Sequence, residues 1–302
     1  MKIVVTGSGG QVGQEFEHIK KIHFNDIHSN HDIVCFNRND LDITDLKKVE
    51  FLIAKESPQL LINCAAYTAV DKAEIDPESA FKINDEGARN IAIVCQKIGI
   101  ALIHISSDYV FSGDNKNAYI ETDITNPSSV YGASKLAGEI AIREVLKEHI
   151  ILRTAWVFGE YGNNFVKKML NLGAKQEKIS VVGDQYGAPT SAEGIANCCI
   201  EIANQLKIRS KNEDRWGIYH FSGSSYTNWH DFAVEIYKQA VETNLYYKPP
   251  IVDKVTSDIF TTSTKRPANS RLDCNKLLLA FNIPADDWKK KLSLIVNSFL
   301  NY

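Results

Sequence analysis

The sequence has no pair of cysteines at the C-x-x-C spacing, which excludes the common cysteine-built metal sites. Its six cysteines lie at positions 35, 64, 95, 198, 199 and 274, and several fall inside apolar runs. Scattered thiols of this kind are typical of buried, reduced side chains. We therefore predict a cytoplasmic protein without structural disulfides.

The sequence also lacks a long hydrophobic run and an excess of charge of one sign. The first apolar run, Ile3–Val5, is too short for a signal peptide or a membrane span. A formal net charge of −3 gives no electrostatic reason to expect nucleic acid or an anionic membrane as a partner. The length of 302 residues fits one large α/β domain with a smaller appended lobe.

Strand-like and helical segments alternate through the first half of the chain. The predicted strands are Lys2–Thr6, Ile33–Phe36, Leu60–Asn63, Ala101–Ser106 and Ile150–Arg153. The predicted helices are Gln11–Lys21, Asp45–Lys55, Pro77–Ile98 and Ser129–Lys147. This alternation indicates a doubly wound parallel sheet, and we predict a Rossmann domain over residues 1–155.

The second half, residues 156–302, is less regular and is predicted to be mainly a substrate-binding lobe with segments returning to the Rossmann sheet. Loops are predicted at 159–164 and 183–189 because both segments are rich in glycine and polar residues. Helices are predicted at Phe165–Ala174, Ala192–Leu206, Trp229–Val241 and Asp286–Phe299. Three prolines and many threonines predict an extended loop over Leu245–Arg271.

The glycines near the start admit two spacings. A G-x-G-x-x-G fingerprint from Gly7 and Gly9 fails because position 12 is Val12, whereas Gly7, Gly10 and Gly13 give G-x-x-G-x-x-G. Gly7 suits a turn with positive φ, and small residues at 10 and 13 allow close approach of a pyrophosphate and of the helix. A strand–loop–helix context favours a nucleotide site over a plain tight turn.

The end of the second strand bears on the choice of dinucleotide. Asn37 stands where a carboxylate would bind the ribose of NAD, and Arg38 follows it. An arginine accommodates a 2′-phosphate, so NADPH is favoured, with NADH open because Asp40 is near. Arg38 as a solvated surface charge is the alternative.

Three side chains form a candidate catalytic group. Tyr131 and Lys135 are four residues apart on a predicted helix, so they share a face. A nearby ammonium is expected to lower the pKa of the phenol towards neutral pH. Ser107, with Ser106 as its rival, follows the fourth strand and can polarise a substrate carbonyl.

At this point the sequence resembles the extended short-chain dehydrogenase/reductase family, and within it the reductases of dTDP-4-dehydrorhamnose. Matching segments span nearly the whole chain in order: GGQVGQE (9–15), LDITD (41–45), NCAAYTAVDKAE (63–74), SSDYVFSG (106–113), VYGASKLAGE (130–139), RTAWVFG (153–159), NNF (163–165), DQYGAPT (184–190) and RPANSRLD (266–273).

The resemblance implies NAD(P)H-dependent reduction of the 4-keto group of dTDP-4-dehydro-β-L-rhamnose to dTDP-β-L-rhamnose, a step in nucleotide-sugar and cell-surface polysaccharide biosynthesis. It implies that Ser107, where the family has threonine, orients the carbonyl, that Tyr131 donates the proton and that Lys135 supports both. The implied cofactor contacts are Gly10, Gln11 and Val12 at the pyrophosphate, Asp42 and Ile43 at the adenine, and Ala65, Ala66, Tyr67 and Thr68 as the wall. The implied contacts to the sugar nucleotide are Asp108, Trp156 and Val70, besides Ser107 and Tyr131.

Other functions within and beyond this family stay open. Tyr109 after Asp108 leaves the acid–base pair of a sugar-nucleotide dehydratase incomplete. An epimerase or reductase of a related 4-keto-6-deoxy sugar nucleotide, and a non-catalytic regulatory subunit with the same fold, remain alternatives. Some relatives hold a divalent ion between subunits, so a Mg²⁺ bound by Glu15 and Glu193, and a homodimer, are further expectations, against the alternative that both carboxylates are only solvated.

Overall fold

A parallel sheet of six strands forms the centre of the computed structural model, which describes residues 1–24, 31–207, 215–246, 248–259 and 264–299. The strands of the described residues, in chain order, are β1 (Lys2–Thr6), β2 (Asp32–Phe36), β3 (Leu60–Asn63), β4 (Ala101–Ser107), β5 (His149–Thr154), β6 (Val157–Phe158), β7 (Lys178–Val182), β8 (Tyr186–Gly187), β9 (Thr190–Ser191), β10 (Gly217–His220), β11 (Thr227–Asn228) and β12 (Ile251–Val255).

The helices of the same residues surround the sheet and build the second half. They are α1 (Gln11–Phe24), α2 (Leu46–Glu56), α3 (Val70–Ala73), α4 (Pro77–Phe81), α5 (Gly87–Ile98), α6 (Val130–Val145), α7 (Phe165–Gly173), α8 (Ala192–Lys207), α9 (Trp229–Glu242), α10 (Asn275–Phe281) and α11 (Trp288–Ser298). A π-helical turn, Lys82–Glu86, joins α4 to α5, and short 3-10 turns cover Asp108–Val110 and Ser257–Ile259.

The strand order of the central sheet is β2-β1-β3-β4-β5-β10, and every pair is parallel. Val5 therefore pairs with Cys35 on one side and with Ile62 on the other. The chain leaves β1 and β3 in opposite directions, which makes their carboxyl ends a topological switch point. Open α/β sheets bind ligands in the crevice beyond such a point.

Both faces of the sheet are covered, because successive strand side chains point to opposite sides. Ile3 and Val5 pack with α1, α8 and α10 on one face, whereas Val4 packs with α2, α5 and α6 on the other. The predicted doubly wound Rossmann-type fold is thereby confirmed. Three segments of the second half, α8, β10 and α10, belong to this layered body.

A separate apolar cluster lies in the second half. It joins α7, β7, α9 and α11 around Phe232 and Trp288, both at most 2% exposed. The sequence prediction of an extended loop over Leu245–Arg271 is wrong in part, because β12 within it pairs in parallel with β7. The predicted helix over Pro77–Ile98 is helical along its whole length, with the π-helical turn between α4 and α5.

No described helix is long and apolar enough to cross a membrane. The six cysteines are free thiols, and three of them, Cys95, Cys198 and Cys199, are buried.

Candidate active site

The glycine loop closes on itself at the switch point. Gly7 has φ +76°, and a Cβ there would lie 2.5 Å from the backbone nitrogen of Ala65, which follows β3. The N–H of Gly10 donates to the carbonyl of Gly7 at 3.0 Å. A Cβ at Gly13 would lie 2.2 Å from that same carbonyl oxygen, so the first turn of α1 packs directly on the loop. A side chain at position 7 or position 13 would therefore clash with the backbone, which explains why both residues are glycine.

A cavity of about 750 Å³ opens over this loop and over the carboxyl ends of β1, β3, β4 and β5. It brings together almost all the residues that the sequence predicts for the site. They are Gly7, Gly10, Gln11, Val12, Gly13, Arg38, Asp42, Ile43, Ala65, Ala66, Thr68, Val70, Ser107, Asp108, Tyr131, Lys135 and Trp156.

Tyr67 is the exception, since it does not line this cavity. Its N–H donates to Asn84 Oδ1 at 2.8 Å, and Asn84 Nδ2 donates back to its carbonyl at 3.1 Å. Asn84 also donates to Ser134 Oγ on α6 at 2.9 Å. A buried asparagine in the π-helical turn thus ties the wall of the cavity to the helix that carries Tyr131. Sequence reasoning missed this residue, because the π-helical turn has no marker in the sequence.

After β2, the cavity is lined by Arg38 and not by Asp40. Asp40 Oδ2 accepts a bond from the N–H of Asn37 at 3.2 Å, which closes the turn after β2. Asp42 lines the cavity, and the N–H of Thr44 is the main reason why its pKa is lowered. Ile43 sits against Gly87 of α5, where a Cβ would lie 2.6 Å from its Cδ1.

Helix α6 presents Tyr131, Lys135 and Glu139 on one inward face, at four-residue spacing. Ser129 caps its N-terminus by accepting from the N–H of Gly132 at 3.1 Å. A Cβ on Gly132 would lie 2.2 Å from the carbonyl oxygen of Tyr109, so this glycine lets α6 approach the end of β4. The approach brings Ser107 and Tyr131 together.

The pKa of Tyr131 is strongly perturbed. Burial raises its pKa to about 12, and a hydrogen bond with Ser107 acts in the opposite direction. The expected lowering of this pKa by Lys135 is wrong for the protein alone, because burial outweighs every favourable contact. The phenol is therefore protonated at neutral pH.

Ser107 and Ser106 have different partners. Ser107 Oγ donates to Asp108 Oδ1 at 2.9 Å and accepts from the N–H of Tyr109 at 3.2 Å. Ser106 Oγ donates to Glu139 Oε1 at 2.6 Å. Glu139 in turn forms a buried ion pair with Arg153 at 2.6 Å. Ser106 therefore belongs to a buried hydrogen-bond network with Glu139 and Arg153, whereas Ser107 lies beside Tyr131.

Lys135 Nζ donates to the carbonyl of Ile105 at 2.8 Å. Its side chain is only 2% exposed, and burial lowers its pKa to about 8. Asp108, which is 4% exposed, has its pKa raised to about 6 by burial, against hydrogen bonds from Ser107 and Ser270. At neutral pH the site therefore holds a neutral phenol, a mostly ionised carboxyl group and a lysine close to its own pKa.

Trp156 closes the cavity on the side of the second half. Its backbone has φ +49°, a left-handed conformation that costs a residue with a side chain about 1–3 kcal/mol. Gly187 leaves room for the indole, since a Cβ there would lie 2.5 Å from it. The ring stacks on Trp229 with centroids 3.6 Å apart.

Trp229 itself lines a second cavity, of about 1060 Å³, in the second half. Apolar side chains of α7 and β7 form one wall, and Lys265 and Arg266 lie at another. Arg266 also acts on Tyr109, which lines the first cavity, by favouring the charged form of its phenol. The two cavities are thus neighbours, joined by the stacked indoles and by Arg266.

Glu15 and Glu193 lie near Lys291 in this chain. Within the described ranges, no group of three or more His, Cys, Asp or Glu side chains is placed to hold one. Lys291 Nζ lies 2.7 Å from Glu193 Oε1. Burial, with the charges of Glu193 and Glu160, raises the pKa of Glu15 to about 7, and Lys291 partly offsets this. The ammonium group of Lys291 therefore supplies positive charge near the carboxyl groups of Glu15 and Glu193.

The comparisons with known proteins agree over the full length. The family model described as RmlD substrate binding domain matches residues 1–301. A dTDP-4-dehydrorhamnose reductase of Aggregatibacter actinomycetemcomitans is 40% identical, over 97% of this chain and 98% of that protein.

Two solved structures are similar across the whole chain. A dTDP-4-dehydrorhamnose reductase from Clostridium acetobutylicum has a TM-score of 0.89 and 35% identity, covering 100% of both chains. One from Bacillus anthracis, solved in complex with NADP, has a TM-score of 0.87 and 34% identity, covering 100% of this chain and 99% of that one.

Proposed function

The chain belongs to the RmlD substrate binding domain family, that of the dTDP-4-dehydrorhamnose reductases, and from this membership we propose that it reduces the 4-keto group of dTDP-4-dehydro-β-L-rhamnose to give dTDP-β-L-rhamnose. NADPH is the proposed reductant. The observation that carries the proposal is that Ser107, Tyr131 and Lys135 line one cavity with the glycine loop. The NADP complex of the Bacillus anthracis relative supports the choice of dinucleotide.

The residues present fit a dinucleotide phosphate. The steric demands at Gly7 and Gly13 keep the loop close to the first turn of α1, whose N–H groups favour an anion. Arg38, on the cavity, suits a 2′-phosphate, whereas Asp40 is engaged with the N–H of Asn37. NADPH, when bound, supplies the hydride.

Tyr131 then acts as the general acid. Its raised pKa keeps the phenol protonated at neutral pH, so it has a proton to give to the oxygen that develops at C4. Ser107 Oγ holds the position beside it, and its hydroxyl proton turns from Asp108 towards the carbonyl oxygen when substrate binds. Lys135, on the same face of α6, returns a proton to Tyr131 after the transfer.

The two parts of the chain divide these tasks in our proposal. Residues 1–155 bind the dinucleotide and carry the proton donor, and residues 156–302 mainly bind the sugar nucleotide. Trp156 and Val70 contact it in the first cavity, and the second cavity, with Lys265 and Arg266, suits an anionic nucleotide. A cytoplasmic location and a homodimer remain predictions, the latter testable by light scattering.

The test is an assay of purified protein with the dTDP-linked 4-keto sugar, following the absorbance of NADPH and then of NADH. We expect steady oxidation, faster with NADPH, and a product with the rhamno configuration by NMR. Tightly bound NAD(H) that copurifies and is not consumed would instead indicate an epimerase. An absence of turnover with folded protein would indicate a non-catalytic subunit.

A further inference from the structure

A line of buried polar side chains leads from β1 to Lys135 beneath the cavity. Thr6 Oγ1 donates to Asn63 Oδ1 at 2.7 Å. Asn63 Nδ2 lies 3.0 Å from His104 Nδ1, and His104 Nε2 lies 3.3 Å from Lys135 Nζ. None of the four side chains is more than 2% exposed. The proposed reaction, as described above, uses only the last of them.

A backbone group fixes the orientation of the Asn63 amide. The N–H of Ala65 donates to Asn63 Oδ1 at 3.0 Å. A backbone N–H cannot accept a hydrogen bond, so the amide oxygen must face Ala65. The amide nitrogen consequently faces His104.

The orientation of Asn63 decides the tautomer of His104. An amide NH₂ only donates, so Nδ1 of His104 must accept and carries no proton. Burial holds the pKa of His104 well below its ordinary value, so the imidazole is neutral and its one proton is on Nε2. This Nε2–H faces Lys135 Nζ.

An N–H directed at Lys135 distinguishes its two protonation states. The amine has a lone pair that accepts from His104 while one of its hydrogens is donated to the carbonyl of Ile105. The ammonium has hydrogens only, and one of them would oppose the N–H of His104. We propose that His104, oriented by Asn63, is a positioning residue that favours the amine form of Lys135. The ammonium form of Lys135 therefore gives up its proton readily at neutral pH.

The other groups around Lys135 act in both directions. Burial lowers its pKa, whereas the charge of Glu139 on α6 raises it. Cys64 after β3 is a neutral thiol, because burial raises its own pKa well above the ordinary value. Glu139 is itself paired with Arg153. Around His104, burial, Lys135 and His149 all disfavour the charged imidazole. The tautomer of His104 is thus set by hydrogen bonds and is not reversed by a nearby charge.

The inference rests on the proposed function for its catalytic meaning. Once Tyr131 has given its proton to the substrate, the phenolate must be reprotonated. One N–H bond of the Lys135 ammonium then breaks as the O–H bond of the phenol forms, which is a proton transfer without any oxidation or reduction. The resulting amine accepts from His104 until a proton returns from solvent. A strongly basic lysine would give up this proton more slowly.

Two measurements on the free protein test the inference. In ¹⁵N-histidine spectra, we expect His104 to show a bare Nδ1 and a protonated Nε2 from about pH 6 to about pH 9. The His104→Gln variant assigns this signal and can turn its amide oxygen to the ammonium. In ¹³C-lysine spectra, with Lys135 assigned by Lys135→Met, we expect the Lys135 midpoint in His104→Gln to rise by about one pH unit. The alkaline limb of kcat should move with it.

Thr6→Val provides a matched control in the same network. It removes the other donor to Asn63 Oδ1 but leaves the N–H of Ala65, so the tautomer and the Lys135 midpoint should stay unchanged. A wild-type His104 protonated on Nδ1, or an unchanged Lys135 midpoint in folded His104→Gln, would overturn the inference. If His104→Gln fails to fold, the wild-type tautomer alone decides. Both readouts need no substrate, so failure to reduce the dTDP sugar would count against the proposed function only.

Discussion

The indole rings of Trp156 and Trp229 stack at an interplanar angle of 10°, with their centroids 3.6 Å apart. Trp156 lines the cavity that holds Tyr131, and Trp229 lines the neighbouring cavity of the second half. Each ring therefore forms part of the wall of one cavity, and the stacking contact holds the two walls together. The strained backbone of Trp156, with φ +49°, indicates that its position is imposed by these surroundings.

Trp229→Leu should weaken binding of the sugar nucleotide without altering the cofactor site. Loss of an aromatic pair worth about 0.5–1.5 kcal/mol frees the Trp156 ring, so we expect KM for the dTDP sugar to rise about 3- to 10-fold. Steady-state kinetics and NADPH titration measure the two effects separately. Trp229→Phe keeps an aromatic face and should stay near wild type. A change in NADPH affinity equal to that in KM would contradict this account.

Gly13→Ala and Gly10→Ala separate folding from cofactor binding in the glycine loop. A methyl at position 13 meets the Gly7 carbonyl at 2.2 Å, whereas at position 10 the nearest atom is 3.4 Å away. We expect Gly13→Ala to lower the free energy of unfolding by about 1–3 kcal/mol. Gly10→Ala should keep its stability and lose NADPH affinity. Urea unfolding and fluorescence titration provide the measurements, and equal stability of the two variants would be evidence against the loop geometry.

Arg38→Gln should shift the preference between dinucleotides. Arg38 is the cation on the ribose side of the cavity, and charge-assisted hydrogen bonds contribute about 1.5–3 kcal/mol. A loss of this size corresponds to a fall of about 10-fold or more in kcat/KM for NADPH. The value for NADH should change little. Asp40→Asn, which alters a carboxylate outside the cavity, is the control. Equal losses with both dinucleotides would show that Arg38 does not bind a 2′-phosphate.

Glu15 should make the protein less stable as the pH rises. Its pKa of about 7 in the folded chain lies above the ordinary value of about 4.3, so folding favours the protonated form. The stabilisation is complete below about pH 4 and is lost as the pH rises through 7. After a discount for screening by solvent, we expect the contribution of Glu15 to the free energy of unfolding to be about 1–2 kcal/mol.

Glu15→Gln should therefore flatten the decline in unfolding free energy between pH 5 and pH 8, measured by urea denaturation. Glu17→Gln, on the same helix, should leave the decline as it is. If Glu15→Gln keeps the full wild-type slope, another group is responsible for it.

Local patterns in the sequence predicted much of the fold and of the site. The strand–loop–helix with Gly7, Gly10 and Gly13, the helix predicted from Ser129 and the four-residue spacing of Tyr131 and Lys135 all depend on neighbours in sequence. Contacts between distant segments could not be predicted in this way. The hydrogen bond of Asn63 with His104 joins residues 41 positions apart, and nothing near either residue indicates it.

Pairing and burial account for the corrections. β12 forms because a second strand, β7, is available to it, and a segment rich in threonine and proline gives no sign of this partner. The pKa of Tyr131 was expected to fall because Lys135 is close in sequence. Burial of the phenol in the folded chain raises it instead.

The central claim is that Tyr131 donates the proton during reduction, and a comparison of two phenol deletions tests it most directly. Tyr109 lies beside it in the same cavity, with ring centroids 5.5 Å apart, so Tyr109→Phe is a matched control. With NADPH and the dTDP-linked 4-keto sugar, we predict that Tyr131→Phe lowers kcat about 10²- to 10⁴-fold with unchanged NADPH affinity. Tyr109→Phe should stay within a few-fold of wild type. A Tyr131→Phe variant that turns over at the wild-type rate would contradict the account.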